Sequence, residues 1–200
     1  MAKSALLFRG FVIRTQPLGE ADQIVVVFTE DGEKQVALAK QSRKSKKRFG
    51  SSLDLFDFGR FETIRSRTPT NLLQSFIAEG GYRELRGSLS KIACASLLAE
   101  VVDLLIPESH GDSNHADTNL FAAFAGGLTS IVSAPNTREE LRNLYLTLAS
   151  ILSYAGYYDH LEQRVPSLHA LRILMNIVEQ TAERRLRTKD AVEMVAQGGI

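Results

Sequence analysis

Apolar and polar positions change rhythm near Gly80-Gly81. Before that point apolar residues form short runs or alternate singly, the period of strands. After it they recur every three or four residues, the period of helices. Leu6–Thr15 is apolar and β-branched and stops at Gln16-Pro17-Leu18-Gly19, a turn signal. Asp22–Thr29 carries Ile24-Val25-Val26-Val27-Phe28, a run suited to a strand covered on both faces. Asp31-Gly32 suits a hairpin turn leading into a return strand over Glu33–Lys40. Leu53–Ile64 is too long for one flat strand, and Gly59 in its middle predicts a bulge or sharp bend. Leu72–Ala78 reads as a fifth strand. Five short strands in residues 1–80, bent at a glycine, fit a small OB-type Greek-key barrel. An SH3-like barrel is the alternative that periodicity leaves open.

Residues 81–200 predict an all-α domain, so the fold class is α+β. The first helix, from Leu85 to Leu105 and ended by Pro107, is apolar nearly all round and belongs at the centre of its bundle. Asp117 can cap a second helix that stops at Pro135. Thr137-Arg138-Glu139-Glu140 has the form of a capping box opening a third, which Gly156 ends. Ser167 opens a fourth, with Arg184, Arg185 and Arg187 in its expected last turn.

Charge divides the chain at the same place. The net charge of +1 is the sum of two unlike halves. Residues 1–80 hold thirteen Lys/Arg against nine Asp/Glu, giving +4; residues 81–200 hold eleven against fourteen, giving −3. The single cysteine, Cys94, excludes an internal disulfide and any paired-cysteine metal knuckle. No apolar run is long enough for a membrane helix or a signal peptide, so a cytoplasmic protein without membrane partners is expected.

The candidate chemistry lies between the third and fourth strands, in Gln41-Ser42-Arg43-Lys44-Ser45-Lys46-Lys47-Arg48. Five cations in six residues repel one another unless an anion screens them. Phe49 follows at once and offers a ring for base stacking, with burial in the barrel mouth as its alternative. A basic arm with an adjacent ring on a small sheet is the arrangement of a nucleic-acid binder. The competing reading is a solvated lysine-rich loop. Arg43, Lys44, Lys46, Lys47 and Arg48 are the expected phosphate contacts, joined by Lys40. Lys3, Arg9, Arg14, Arg60, Arg65 and Arg67 lie towards strand ends, and some of them, Arg14 and Arg65 among the candidates, are expected to extend the positive field.

Catalytic patterns are absent: there is no phosphate-binding Gly-x-x-x-x-Gly-Lys, no Gly-x-Ser-x-Gly elbow and no His-Glu-x-x-His. The run His110–Asp117 could hold a divalent ion, although an exposed polar loop is the commoner form of such a sequence. Cys94 sits on the apolar first helix as a small core residue. Tyr157-Tyr158 could stack bases or close a core. No enzyme activity, cofactor or metal is expected.

Phe11-Val12-Ile13-Arg14-Thr15-Gln16-Pro17-Leu18-Gly19-Glu20-Ala21-Asp22, followed by Val27-Phe28-Thr29-Glu30-Asp31-Gly32, resembles the opening of the bacterial recombination mediator RecO family. Leu97–Glu108 is similar to that family's first long helix and its ending, and Tyr154-Ala155-Gly156-Tyr157 to its later Gly-Tyr turn. The resemblance implies an OB-fold and a helical domain that bind single- and double-stranded DNA and anneal complementary strands. It implies partnership with RecR and with the acidic tail of single-strand binding protein, in loading recombinase at gaps, at the bacterial nucleoid. Many members carry four zinc-binding cysteines after the Gly-Tyr turn; Tyr158–Pro166 has none, so zinc is not expected here.

An acidic tail with an apolar end needs a cation beside an apolar groove. Between Glu100 and Glu162 the only cations are Arg138 and Arg142, among nine carboxylates and four residues apart on one helix face. They are the preferred tail contacts; Arg184, Arg185 and Arg187 compete, and pairing of Arg142 with Glu139 is the plain alternative. A protein-interaction adaptor and an RNA-binding OB factor are the other functional classes.

Overall fold

The computed structural model describes residues 5–44, 49, 53–66, 70–109, 117–159 and 165–198. They form two compact units. One holds the residues up to Tyr82, to which Pro107, Glu108 and Ser109 return; the other holds Arg83–Ile106 and the described residues from Asp117 onward.

The first unit is a closed barrel of β1 (Ala5–Leu18), β2 (Asp22–Thr29), β3 (Lys34–Ala39), β4 (Asp57–Ile64) and β5 (Asn71–Gly81). The order around the ring is β1-β2-β3-β5-β4. β1 is long enough to pair β4 with its first half and β2 with its second. A short parallel pairing of β3 with β5 completes the ring, the Greek-key arrangement of an OB-type barrel. Two strands meet closely at Gly10 and Gly59, which pair with each other. A Cβ on Gly10 would lie 2.2 Å from the Phe28 carbonyl oxygen, and one on Gly59 2.2 Å from that of Ile77. Only glycine lets these backbones approach.

The bend foreseen at Gly59 is real, but the extra residue of the bulge is Glu79 on the facing strand: Gly59 pairs with Ala78 and Phe58 with Gly80. β4 is also shorter than the apolar run. Its first part, Leu53–Phe56, is a turn in which Phe56 takes a φ of 67°. Alternation points Phe61, Leu73, Phe76, Val12, Val25 and Val27 inward, where Phe61 and Phe76 rings lie 4.7 Å apart. β2 is buried from Val25 through Thr29, as its unbroken apolar run requires.

The second unit begins with a 3₁₀ turn, Arg83–Gly87, and contains α1 (Leu89–Leu105), α2 (Thr118–Ser133), α3 (Thr137–Tyr154), α4 (Leu168–Thr181) and α5 (Lys189–Gly198). Helix α1 starts later than its periodicity suggests, because the Ser88 hydroxyl caps it by accepting from the Lys91 amide. Its buried residues cover most of its circumference, the mark of a central helix. Asp117 caps α2 and Ser167 caps α4 as expected. The cap of α3 is Asn136, whose Oδ1 accepts from the Glu139 amide at 3.0 Å; Thr137 is already helical. Gly156, with φ of 80°, closes α3, and the Tyr157 amide returns to the Leu152 carbonyl at 2.8 Å.

Helix α5 was not foreseen. The chain turns at Glu183 (φ 50°), so Arg184, Arg185 and Arg187 lie beyond α4 rather than in its last turn. Buried Glu100 of α1 holds that turn. It accepts the Arg187 amide (3.0 Å) and Nε (3.1 Å), and the Thr188 amide (2.9 Å) and hydroxyl (2.7 Å). Burial alone would raise the Glu100 pKa, but these hydrogen bonds together hold it below the usual carboxylate value. Cys94, fully buried on α1, is pushed up to about 12 by burial and then by Glu140, which makes it an inert core residue.

Candidate nucleic-acid interface

Strand pairing places four of the predicted cations, Lys40, Arg43, Lys44 and Arg65, at one rim of the barrel. Ala39, the last residue of β3, pairs with Gln23 near the start of β2. Leu38 of β3 pairs with Leu72 of β5, and Leu72 pairs with Ile64 at the end of β4. Three loops therefore leave from the same rim: the β1–β2 turn, the basic loop after β3, and the segment after Ile64. Lys40, Arg43, Lys44 and Arg65 stand there and are all exposed.

The basic loop is tied down where it starts. Gln41 takes a φ of 57° and gives its amide to the Asp22 carboxylate at 2.8 Å. The Arg43 amide donates to the Ala21 carbonyl at 3.0 Å, and its guanidinium to the Gly19 carbonyl at 3.1 Å. Lys44 pairs with Glu20 at 3.0 Å, both side chains well exposed. The Gly19-Glu20-Ala21 turn, with Asp22, is thus the bracket that holds Gln41–Lys44. Sequence reasoning missed this role, although Gly19, with Glu20 and Asp22 beside it, was a visible signal. Lys46, Lys47 and Arg48 lie outside the described residues, as do Lys3 and Arg67.

Phe49 corrects an expectation. Its side chain is 2% exposed and belongs to the barrel core with Val12, Leu53 and Phe61. A ring enclosed by core neighbours has no free face for a base, so the large aromatic after the charges plugs the barrel. Arg14 lies half-buried beside a register shift of β1, its guanidinium 3.5 Å from the Gln16 amide oxygen. It stands within the β1–β2 ladder, not on the rim.

Arg9 and Arg60 also depart from the expected groove. They pair with each other across β1 and β4 and share Glu79, at 2.9 and 2.8 Å. Arg9 reaches Glu30 at 3.1 Å as well and lies over the Phe58 ring. The Glu79 carboxyl is held below its usual pKa, first by Arg60 and then by Arg9. Two cations against two carboxylates leave no net charge there. The β5 bulge supplies the residue that silences these arginines.

In the helical unit, Arg138 and Arg142 line a cleft of about 820 Å³. Leu141, Pro166, Leu168, Leu171 and Ala196 give it an apolar wall, and Val165 stands beside them 84% exposed. The first turns of both α3 and α4 open onto the cleft, placing two positive helix ends there. Arg142 also contacts Glu139 at 3.2 Å, the pairing the sequence allowed for. Arg184 and Arg185 do not line it. The run His110–Ala116 lies outside the described residues, and among the described residues no group of His, Cys, Asp and Glu is placed to hold a metal ion. No helix among the described residues is long and apolar enough to cross a membrane.

A small OB-type barrel with a basic rim, followed by a helical unit, places the chain among the OB-fold proteins. The comparisons with known proteins specify it further. A profile described as "Recombination protein O N terminal" matches residues 1–80. The chain is 32% identical over 149 residues to the DNA repair protein RecO of Pelobacter propionicus, covering 73% of this chain and 57% of that protein. It is 36% identical over 99 residues to the RecO of Symbiobacterium thermophilum, covering 50% and 39%. It is 33% identical over 128 residues to that of Anaeromyxobacter dehalogenans, covering 63% and 49%. The chain belongs to the RecO family. It spans about half the length of the curated relatives it matches.

Proposed function

We propose that this chain acts in recombinational DNA repair as a non-catalytic protein that binds DNA and anneals complementary strands. The observation that carries this reading is the rim, where strand pairing gathers Lys40, Arg43, Lys44 and Arg65 around the root of the basic loop. Annealing needs no nucleotide hydrolysis, because base pairing supplies the free energy. The protein has only to offset repulsion between two phosphate chains, which a concentrated positive surface does while releasing counterions. Arg43, Lys44, Lys46, Lys47 and Arg48 contact phosphates rather than base edges, so binding tolerates any sequence.

Exchanging those five for alanine weakens binding to every single-stranded oligonucleotide alike. Each lost contact lowers the slope of log affinity against log salt by about 0.7. An unchanged isotherm across salt contradicts the proposal, and a parallel titration with RNA of the same sequence tests which nucleic acid is preferred.

The cleft between the first turns of α3 and α4 supports the partner part of the reading. Its two arginines and two helix ends suit carboxylates, and its apolar wall suits an apolar terminal residue. This is the combination that docking of the acidic tail of single-strand binding protein requires. Calorimetry with a tail peptide loses its signal in Arg138→Ala/Arg142→Ala and keeps it in Arg184→Ala/Arg185→Ala. The opposite pattern moves the site to the turn after α4. Partnership with RecR and the loading of recombinase rest on family membership.

A further inference from the structure

Beside the cleft runs a surface of α3 that carries no charged residue. Arg142 is followed at four-residue steps by Leu146, Ser150 and Tyr154 along the solvent face of α3. Leu146 is 39% exposed, Tyr154 47%, and Tyr157 just past the helix 44%. From Asn143 to Tyr158 the sequence has no Asp, Glu, Lys or Arg. Helix α2, which packs against α3, has none from Thr118 to Ser133. Asn143 is turned towards α2, its amide donating to the Ser130 carbonyl at 2.8 Å. A charge-free strip with one leucine and two tyrosines exposed thus starts where the two arginines end. Depletion of charge with enrichment of tyrosine is the composition of a protein-contact surface.

We propose that this strip binds the segment of the partner that precedes its acidic terminus, and that this segment is uncharged and carries apolar side chains. The inference rests on the reading of the cleft as the terminus site. Charge decides the occupant. Carboxylates are met by Arg138 and Arg142 at one end, whereas a charged residue lying on Leu146 or Tyr154 would lose hydration without gaining a partner. A nucleic acid would need cations along the whole track, and the strip offers none beyond Arg142. Twelve residues of helix separate Arg142 from Tyr154, a span of about 18 Å. An extended peptide covers that distance with about five residues. The partner is therefore read beyond the cleft, along α3.

The test compares two synthetic peptides in calorimetry with the full chain: a short acidic one ending in a free apolar residue, and the same peptide with about six uncharged, apolar-bearing residues added before it. The longer one binds about tenfold more tightly to the unaltered protein. In Leu146→Ala and in Tyr154→Ala the advantage disappears while the short peptide binds as before. Those exposed positions leave the fold intact, which circular dichroism checks. Equal affinity of the two peptides for the unaltered protein, or an advantage that survives both substitutions, overturns the inference and leaves the cleft reading standing. If neither peptide binds, the cleft reading and its extension fall together. If Tyr154→Ala instead weakens a single-stranded oligonucleotide, the strip is a stacking surface and the peptide assignment is wrong.

Discussion

Two regions of the barrel carry arginine and lysine, and they have opposite fates. On the rim, Lys40 and Arg65 are exposed, and Arg43 spends its hydrogen bonds on the backbone of the Gly19–Ala21 turn. A carbonyl orients a guanidinium without cancelling its charge. On the face where β1, β4 and β5 run together, Arg9 and Arg60 are bound to carboxylates that do cancel it. Residue type is the same in both places. What separates them is how far carboxylates cancel the charge: on the rim Lys44 meets one well-exposed carboxylate, Glu20, whereas Arg9 and Arg60 share the bulged Glu79 and Arg9 holds Glu30 as well.

The largest expected effect concerns the core ring that follows the basic run in sequence. Phe49→Ala opens the barrel core and costs about 3–5 kcal/mol of stability, read as a lowered midpoint in urea. Its affinity for single-stranded DNA, measured well below that midpoint, stays near that of the unaltered protein. The reverse result, a stable protein that has lost affinity, would return Phe49 to the rim as a stacking residue.

Acid separates two carboxylates whose pKa is lowered for different reasons. Glu100 serves the fold and Glu79 serves the balance of charge. A carboxyl with a folded pKa below its ordinary 4.5 contributes stability at neutral pH, and loses it as pH falls below 4.5 through the folded value. Glu179, lowered chiefly by Lys189 and the Leu186 amide against the effect of burial, follows the same sign. Glu100→Gln should cost about 2 kcal/mol at pH 7, because it weakens hydrogen bonds made to a charge. It should also flatten the fall in melting temperature between pH 5 and pH 3. A variant that retains the full acid slope would show that Glu100 does not hold the turn before α5.

The smallest effect is a gain. Glu79→Gln leaves Arg9 and Arg60 without their shared anion and should raise affinity for single-stranded DNA by about twofold at low salt, an increment that screening removes at high salt. No gain at any salt would mean that this face lies too far from the bound strand to matter.

The sequence displayed the barrel because each strand is signalled locally, by the Val25–Phe28 run, the Asp31-Gly32 turn and Gly59. The bundle was legible for the same reason, since Asp117 and Ser167 are caps of ordinary type. Element ends were less legible: Asn136 rather than Thr137 caps α3, because the choice depends on which oxygen reaches the Glu139 amide. Helix α5 escaped notice because its short apolar stripe, Val192 and Ala196, gains meaning only from Glu100, some ninety residues earlier in the chain. Of the site, the cations were visible and their environment was not. The grouping of Lys40 with Arg65, and of Arg9 with Glu79, is set by strand register, a long-range property that no local pattern encodes. Burial of Phe49 was one of two readings the residues allowed, and only packing decides between them.

The claim at the centre of this account is that the rim, not the total of cations, binds DNA. It is tested most directly by the salt dependence of single-stranded DNA binding in two double variants of equal charge change. Lys40→Ala/Arg65→Ala removes two cations from the rim, and Arg9→Ala/Arg60→Ala removes two from the neutralised face. The account predicts that the first lowers the slope of log affinity against log salt by about 1.4 and that the second, which removes cations already held by Glu79 and Glu30, changes it by much less. Equal losses in both variants, or a loss confined to Arg9→Ala/Arg60→Ala, would contradict it.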